Sequence, residues 1–449
     1  MSNIFRAYDI RGIYPEELDE EAAFRIGQAT AKFLKAKTMV VGEDARISSS
    51  SLSKKLKEGI TSTGCEVLSI GQCTTPLFYF SLNKFNADGG IMITASHNPP
   101  QYNGFKIMGS KAVPISADSG LLNIQKLTES NVVANEKEGR VEEVSAKEDY
   151  VNFLASQSKT NNLKIVIDAS NGMAPVVLQE LFKKVNLNVI PINFDIDGTF
   201  PNHLSDISKE ENLRDLRNKI LETSADIGFA FDGDADRLTV LDEQGNKLGA
   251  DFVVGLMFKA KGGFFKKPKV VYDLRFSRSV KDLIGKNGFP SRTGYSFVRA
   301  IMKERDADLG GELSGHFDFK EMNYAESAIL AMLRVIEIVA KEEKPLSQIV
   351  KPLLKYFNSG EITIEINQNA KIKNQNDNVK LQIFQNLKNK YNDGKQSFLD
   401  GITVEYDNWW FNVRPSNTEP LLRLLVEANT KELMDQKIAE LISEINKTA

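Results

Sequence analysis

The 449-residue chain predicts an α/β fold: three similar mixed-sheet α/β domains plus a C-terminal α+β domain. Three observations carry this expectation. An apolar run closing on Asp recurs, as TMVVGEDARIS near residue 40, LKIVIDASNG near 165 and PKVVYDLRFS near 270. Downstream of each, an Ala-Asp pair precedes Gly, a short apolar stretch and a polar loop, in NADGGIMITASHNP, SADIGFAFDGDADR and DADLGGELSGH. After residue 357 the pattern changes, and SGEITIEINQN and GITVEYDNWWFNVRPSNTEPLLRLLVEAN alternate apolar with polar residues, as antiparallel strands with one wet face do.

The short β-branched runs read as buried strands. Between them lie helix-like stretches such as LSKKLKEGITSTG and APVVLQELFKKVN, and strand–helix–strand alternation implies mostly parallel sheets covered by helices. The repeat sets expected domains at 1–147, 148–250 and 251–356, with the fourth at 357–449. Ligands of open α/β sheets bind beyond the carboxyl ends of the strands, where TASHNP, DGDADR and GELSGH lie. Three such units in pseudo-symmetric array would bring the loops to one cleft.

Composition excludes several classes. Hydrophobic residues make up 41% and charged residues 26%, as in ordinary soluble proteins, and a net charge of −3 gives no cationic face for nucleic acid or membrane. Cys65 and Cys73 are too few for a disulfide framework or a cysteine zinc site. MSNIFRAYDIRG has no basic head before an apolar core, and no apolar run reaches membrane-spanning length, so a cytoplasmic protein is expected.

The loops carry the chemistry. FDGDADR places Asp232, Asp234 and Asp236 at alternate positions, which in an extended segment share a face. Their mutual repulsion calls for a cation, and oxygen ligands without His or Cys suit a hard ion such as Mg²⁺; a solvated acidic turn is the plainer alternative. Ser96 follows an apolar strand, where a serine can serve as nucleophile or phosphate carrier, although SHNPP also reads as an ordinary polar turn. GGELSGH offers Glu312 and Ser314 to hydroxyl groups and His316 either to a ligand oxygen or to structure. RPSNTEP combines Arg414 with Ser416, Asn417 and Thr418, as a phosphate clamp or a capping turn. Together the loops fit phosphoryl transfer on a polyhydroxylated phosphate ester.

TASHNP, DGDADR, GELSGH and RPSNTEP, in this order and with RAYDIRG at the start, resemble the α-D-phosphohexomutases over essentially the whole chain. The resemblance implies an isomerase of the phosphomannomutase/phosphoglucomutase group, which interconverts hexose 1- and 6-phosphates through a phosphoserine and a bound hexose 1,6-bisphosphate. It makes Ser96 that phosphoserine. Asp232, Asp234 and Asp236 would hold Mg²⁺ together with the Ser96 phosphate. Arg11, His97 and Arg237 would lie beside the transferring phosphate. Lys106 of YNGFKI would be a general acid/base, its pKa lowered by the cations around it. Glu312, Ser314 and His316 would read sugar hydroxyls, and Arg414, Ser416, Asn417 and Thr418 would hold the distal phosphate.

Tyr295 stands where the family often has His, and Phe276 where a small residue or Cys is common. Leu313 in GELSGH and the stretch NYAESAIL favour mannose and glucose phosphates as substrates. A phosphoglucosamine mutase and a non-catalytic sugar-phosphate binder are the alternatives. The expected partners are small sugar phosphates, to the exclusion of nucleic acid and membrane, and the expected state is a monomer or homodimer.

Overall fold

The structure, a computed structural model, describes residues 4–130, 137–159, 162–260, 268–365, 373–415 and 421–447. Four sheets follow one another along the chain. The first contains β1 (Ile10–Ile13), β2 (Thr38–Glu43), β3 (Glu66–Gln72), β4 (Gly89–Ile93), β5 (Tyr102–Gly109) and β6 (Val141–Glu143), in the order β1-β5-β4-β2-β3-β6. The second contains β7 (Lys164–Asp168), β8 (Asn188–Ile192), β9 (Ile227–Phe231), β10 (Leu238–Leu241) and β11 (Lys247–Leu248), ordered β11-β10-β9-β7-β8. The third contains β12 (Val270–Asp273), β13 (Gly288–Ser291), β14 (Leu309–Gly311), β15 (Phe317–Phe319) and β16 (Ala325–Glu326), ordered β13-β12-β14-β15-β16.

These three sheets share one topology. A central strand (β2, β7 or β12) is flanked by two parallel neighbours, and the third strand of the trio hands over to an antiparallel return. The parallel neighbours are reached through helices, as Ser49–Thr61 and Thr75–Lys84 show in the first unit. Central strands covered on both faces read as unbroken apolar runs; Met39, Val40 and Val41 are all buried. In each unit the turn between the third strand and its return projects from the same end. Those turns hold Ser96, the three aspartates, and Glu312 to His316 respectively.

The fourth sheet contains β17 (Phe357–Asn358), β18 (Ile362–Glu365), β19 (Lys395–Ser397), β20 (Ile402–Glu405), β21 (Trp409–Pro415) and β22 (Leu421–Ala428), all paired antiparallel. This is the expected change of class.

One apolar cluster runs through the first three units, joining Phe78 and Tyr79 to Phe229 and Phe231 and to Phe317 and Phe319. Each fully buried aromatic of this kind contributes about 1.5–3 kcal/mol, so the three units are packed as one block. Helix Ala328–Glu342 crosses that block and is buried along most of its length, its start capped by the Ser327 hydroxyl, which accepts from Leu330 N at 3.2 Å. The fourth sheet closes a separate core around Ile402, Phe411, Leu424 and Leu441. Polar contacts tie it to the third unit: the Ser277 hydroxyl donates to Glu427 Oε1 at 2.6 Å and Arg278 Nη1 to Asp407 O at 2.8 Å. Among the described residues, no helix is long and apolar enough to cross a membrane.

Candidate active site

Ser96 sits just past β4, buried, with φ at 51°. That left-handed conformation costs a non-glycine residue of the order of 1 kcal/mol and persists only where the surroundings fix it. Here they do. The Ser96 amide donates to Thr94 Oγ1 at 2.9 Å, and its carbonyl accepts from Arg46 Nη2 at 2.9 Å and Ser205 Oγ at 3.3 Å. Its hydroxyl donates to Asp232 Oδ2 at 2.7 Å, joining the first loop to the second. A Cβ on Gly233 would stand 2.5 Å from the Ser96 carbonyl oxygen, so the two loops meet only with glycine there.

The acidic loop converges by a different route from the one its spacing suggests. It is not extended. Ala235 takes φ 58°, and its amide closes a tight turn on Asp232 O at 3.1 Å. The Asp232 carboxylate then accepts from the amides of Asp236 and Arg237 at 3.2 and 3.1 Å, curling the loop around itself. Burial pushes the Asp232 carboxyl well up, and Asp236 and Asp234 add to the shift. Burial alone would raise Asp236 as well, but Lys106 and Arg237 outweigh it and hold that carboxyl low.

Lys106 is paired with the acidic loop. Its ammonium donates to Asp234 Oδ2 at 2.7 Å and to Asp236 Oδ2. Burial would lower its pKa, yet the two carboxylates overcome burial and raise it. Neighbouring cations do not set the sign, because the aspartates are closer. Thr75, at the start of helix Thr75–Lys84, also donates its hydroxyl to Asp234 Oδ2, at 2.6 Å.

The three carboxylates present oxygens that all lie within 4.8 Å of one another. Oδ1 of Asp234 and Oδ1 of Asp236 are buried without a hydrogen-bond partner among the described residues. Unsatisfied buried acceptors of this kind cost about 1–3 kcal/mol each, so the donor set fits a divalent cation that would claim both oxygens.

Arg237 links the second loop to the first and third. Its Nε donates to His316 Nε2 at 2.7 Å and its Nη1 to His97 Nδ1 at 2.7 Å. Burial, then Arg237, holds both imidazoles well below their ordinary pKa, so both are neutral acceptors. Arg11, on β1, donates to Asp9 Oδ2 and Asn98 Oδ1, each at 2.5 Å, and so borders the Ser96 turn.

Glu312 is buried, and its Oε2 accepts from the Gly294 amide at 3.0 Å while Oε1 has no hydrogen-bond partner among the described residues. Ser314 lies half-buried in the same turn. Burial, then Asp273 and Asp318, pushes the Glu312 carboxyl up to about 8 from 4.5. A raised carboxyl favours the folded state while protonated: its contribution is full below about pH 4.5 and is lost as pH climbs toward 8. Glu312→Gln stays neutral throughout. Its melting temperature should therefore fall less than that of the wild type between about pH 6 and pH 9, by roughly 1 °C for each kcal/mol relieved. Equal falls in the two proteins would contradict the shift.

The phosphate-clamp loop is described in part. Ser416, Asn417 and Thr418 lie outside the described residues. Arg414 is buried and donates through Nη2 to Glu361 Oε1 at 2.5 Å, an oxygen it shares with Arg275 Nη1 at 3.0 Å. Arg275 is in turn held by Asp273, two residues before it. Among the described residues, Arg414 Nε has no hydrogen-bond partner. Tyr295 donates its hydroxyl to Tyr8 O at 3.1 Å, and burial raises its pKa, so it stands as a neutral hydrogen-bond donor between the first and third units. Phe276 is fully buried and stacks on Tyr272, with ring centroids 5.9 Å apart. The sequence reading missed Thr75, Arg46 and Glu361. Only Arg46 left a signal, an Asp-x-Arg repeated as Asp44–Arg46 and Asp273–Arg275.

Four family models match in sequence along the chain. They are phosphoglucomutase/phosphomannomutase alpha/beta/alpha domain I at residues 2–132, domain II at 144–245, domain III at 245–357, and the C-terminal domain at 365–444. The chain belongs to the phosphoglucomutase/phosphomannomutase family. As a member of that family it is a hexose-phosphate mutase. It is 38% identical over 446 residues to the phosphomannomutase of Methanocaldococcus jannaschii, covering 98% of this chain and 96% of that one. It is 34% identical over 447 residues to the phosphomannomutase/phosphoglucomutase of Pseudomonas aeruginosa, covering 97% and 94%. The crystal structure of a phosphoglucomutase/phosphomannomutase family protein from Burkholderia thailandensis superposes with a TM-score of 0.88 at 30% identity, covering 100% of this chain and 98% of the other.

Proposed function

We propose that this phosphoglucomutase/phosphomannomutase family member interconverts the 1- and 6-phosphates of mannose and glucose through a phosphoryl group carried on Ser96. The observation that carries the reading is the Ser96 hydroxyl, held 2.7 Å from Asp232 in a turn whose other aspartates have free buried oxygens. Phosphoryl transfer leaves the protein mainly positioning and charge stabilisation to perform, and this cleft supplies both.

In the proposed sequence the bond from phosphorus to Ser96 Oγ breaks as the bond to a sugar hydroxyl oxygen forms; the proton of that hydroxyl moves to a protein base, and the departing Oγ takes up a proton to give the serine hydroxyl. The sugar leaves the first transfer as a hexose 1,6-bisphosphate, turns within the cleft and returns its other phosphoryl group to Ser96. Arg237 and Arg11 flank the Ser96 turn and oppose the charge on the transferring group. His97, kept neutral by burial and Arg237, accepts from that arginine through Nδ1 and keeps its Nε2–H as a donor. Lys106 as it stands holds a proton to give. Mg²⁺, when bound by Asp232, Asp234 and Asp236, would neutralise those carboxylates and with them the pull that keeps Lys106 protonated. Glu312, protonated at neutral pH, can both donate to and accept from a sugar hydroxyl, with Ser314 and His316 beside it. Arg414, with Ser416, Asn417 and Thr418, would hold the phosphate that is not reacting.

A coupled mutase assay tests the reading with mannose 1-phosphate, glucose 1-phosphate and glucosamine 1-phosphate, each with and without glucose 1,6-bisphosphate. Mannose and glucose phosphates should turn over with similar kcat/KM, and the glucosamine ester at least about tenfold more slowly, a difference of about 1.4 kcal/mol in transition-state binding. A preference for the glucosamine ester would move the chain to the phosphoglucosamine mutases. No turnover even with the bisphosphate present would leave a sugar-phosphate binder.

A further inference from the structure

The Asp-x-Arg repeat has a structural purpose in the first unit that the reaction scheme leaves unused. Arg46 lies in the turn after β2 and is buried. A guanidinium has five N–H donors, and all five of Arg46 are engaged. Nε donates to Asp44 Oδ2 at 3.2 Å. Nη1 donates to the carbonyls of Pro99 and Tyr102 at 2.7 and 3.0 Å, and Nη2 to those of Ser96 and Asn98 at 2.9 and 2.7 Å.

Four carbonyls of one seven-residue segment, Ser96 to Tyr102, thus converge on a single planar cation. The cation is itself fixed on two sides. Asp44 holds it through Nε and also accepts from the Arg46 amide at 3.0 Å and the Ser49 hydroxyl at 2.6 Å. Across the domain boundary the Phe200 ring covers it, with the ring centroid 5.1 Å from Cζ. A Cβ on Gly198 would stand 2.5 Å from Arg46 Cα, so the second unit packs directly on this turn.

Resting on the assignment of Ser96 as phosphoryl carrier, we infer that Arg46 is a positioning residue for the transfer, setting the peptide from which the Ser96 hydroxyl projects. The peptide it grips carries the left-handed φ of 51°, which on its own would relax toward other conformations. Turning that peptide swings Oγ away from Asp232 and the acidic loop. A displacement of about 1 Å at a reacting atom can lower a rate by roughly a hundredfold. Among the described residues proposed to grip the sugar and the distal phosphate, Glu312, Ser314, His316 and Arg414 make no hydrogen bond to Arg46 or to its four acceptor carbonyls, so ground-state binding should stay close to normal.

The experiment measures kcat and KM for glucose 1-phosphate, with saturating glucose 1,6-bisphosphate, in Arg46→Ala and Arg46→Lys, beside Ser96→Ala. Arg46→Ala should lower kcat, expressed per folded molecule as read by circular dichroism, about a hundredfold with KM within about threefold, as loss of an arrangement that matters only in the transition state does. Guanidinium ion added at tens of millimolar should enter the vacated site and restore at least about tenfold of the lost kcat, while leaving Ser96→Ala unchanged. Arg46→Lys has too few donors in the wrong geometry and should fall between Arg46→Ala and wild type. If Arg46→Ala fails to fold, the kcat and KM of Arg46→Lys decide alone. Wild-type kcat in a folded Arg46 variant, or a raised KM with kcat intact, would overturn the inference while Ser96→Ala stays inactive. Full activity in Ser96→Ala would instead overturn the phosphoserine reading beneath it.

Discussion

Ser96→Ala is expected to lose mutase turnover by about a thousandfold or more while still binding sugar phosphate within a few-fold of wild type. Losing a covalent carrier removes a path rather than one contact, which is why its cost exceeds that of a single hydrogen bond. The substitution is mild for the fold. Alanine meets the same backbone demand at φ 51°, and the carbonyl contacts from Arg46 and Ser205 do not involve the side chain. Loss of the hydroxyl does leave Asp232 Oδ2 without its 2.7 Å donor, and a small change in stability should accompany the loss of rate. Peptide mass analysis of the wild type should find a phosphoryl group on Ser96 after incubation with glucose 1,6-bisphosphate. Wild-type rates in Ser96→Ala, or phosphate on another residue, would end the assignment.

The second large effect belongs to the acidic loop. Chelation should abolish activity reversibly, and Asp234→Asn should need far more Mg²⁺ for half-maximal rate. Asp234 meets Lys106 and Thr75 through Oδ2 and leaves Oδ1 buried and bare. An amide in its place removes one of three charges and turns one of two acceptors into a donor. Charge-assisted contacts contribute about 1.5–3 kcal/mol, so the Mg²⁺ requirement should rise roughly tenfold to a hundredfold, read from rate against free Mg²⁺. An unchanged requirement would mean that the metal binds elsewhere.

The fold was legible because its central strands are covered on both faces, which leaves an apolar run with no alternation to disguise it. Met39 to Val41 and Ile165 to Ile167 are such runs. The turns that follow the third strands were legible for a different reason: they spend Ser96, Asp232 and Glu312 where an ordinary loop would carry solvated residues. What stayed hidden was decided by tertiary contact. The alternate spacing of the aspartates suggests an extended segment, but a left-handed Ala235 folds the loop around Asp232 instead. Thr75 and Asp234 are 159 residues apart and nothing local joins them. The sign of the Lys106 shift depends on which charges lie nearest, and a sequence that places arginines and aspartates in one cleft does not rank their distances. Glu361, which receives both Arg275 and Arg414, lies outside every motif.

The double grip of Arg237 has a mechanical consequence. One guanidinium holds His97 of the first unit and His316 of the third by different nitrogens, so the reacting end of the cleft and its sugar-reading end share a single linchpin. Neither ring can rotate alone without pulling on the other through that cation. A ligand charge that draws on Arg237 would therefore bear on both rings at once, through one side chain.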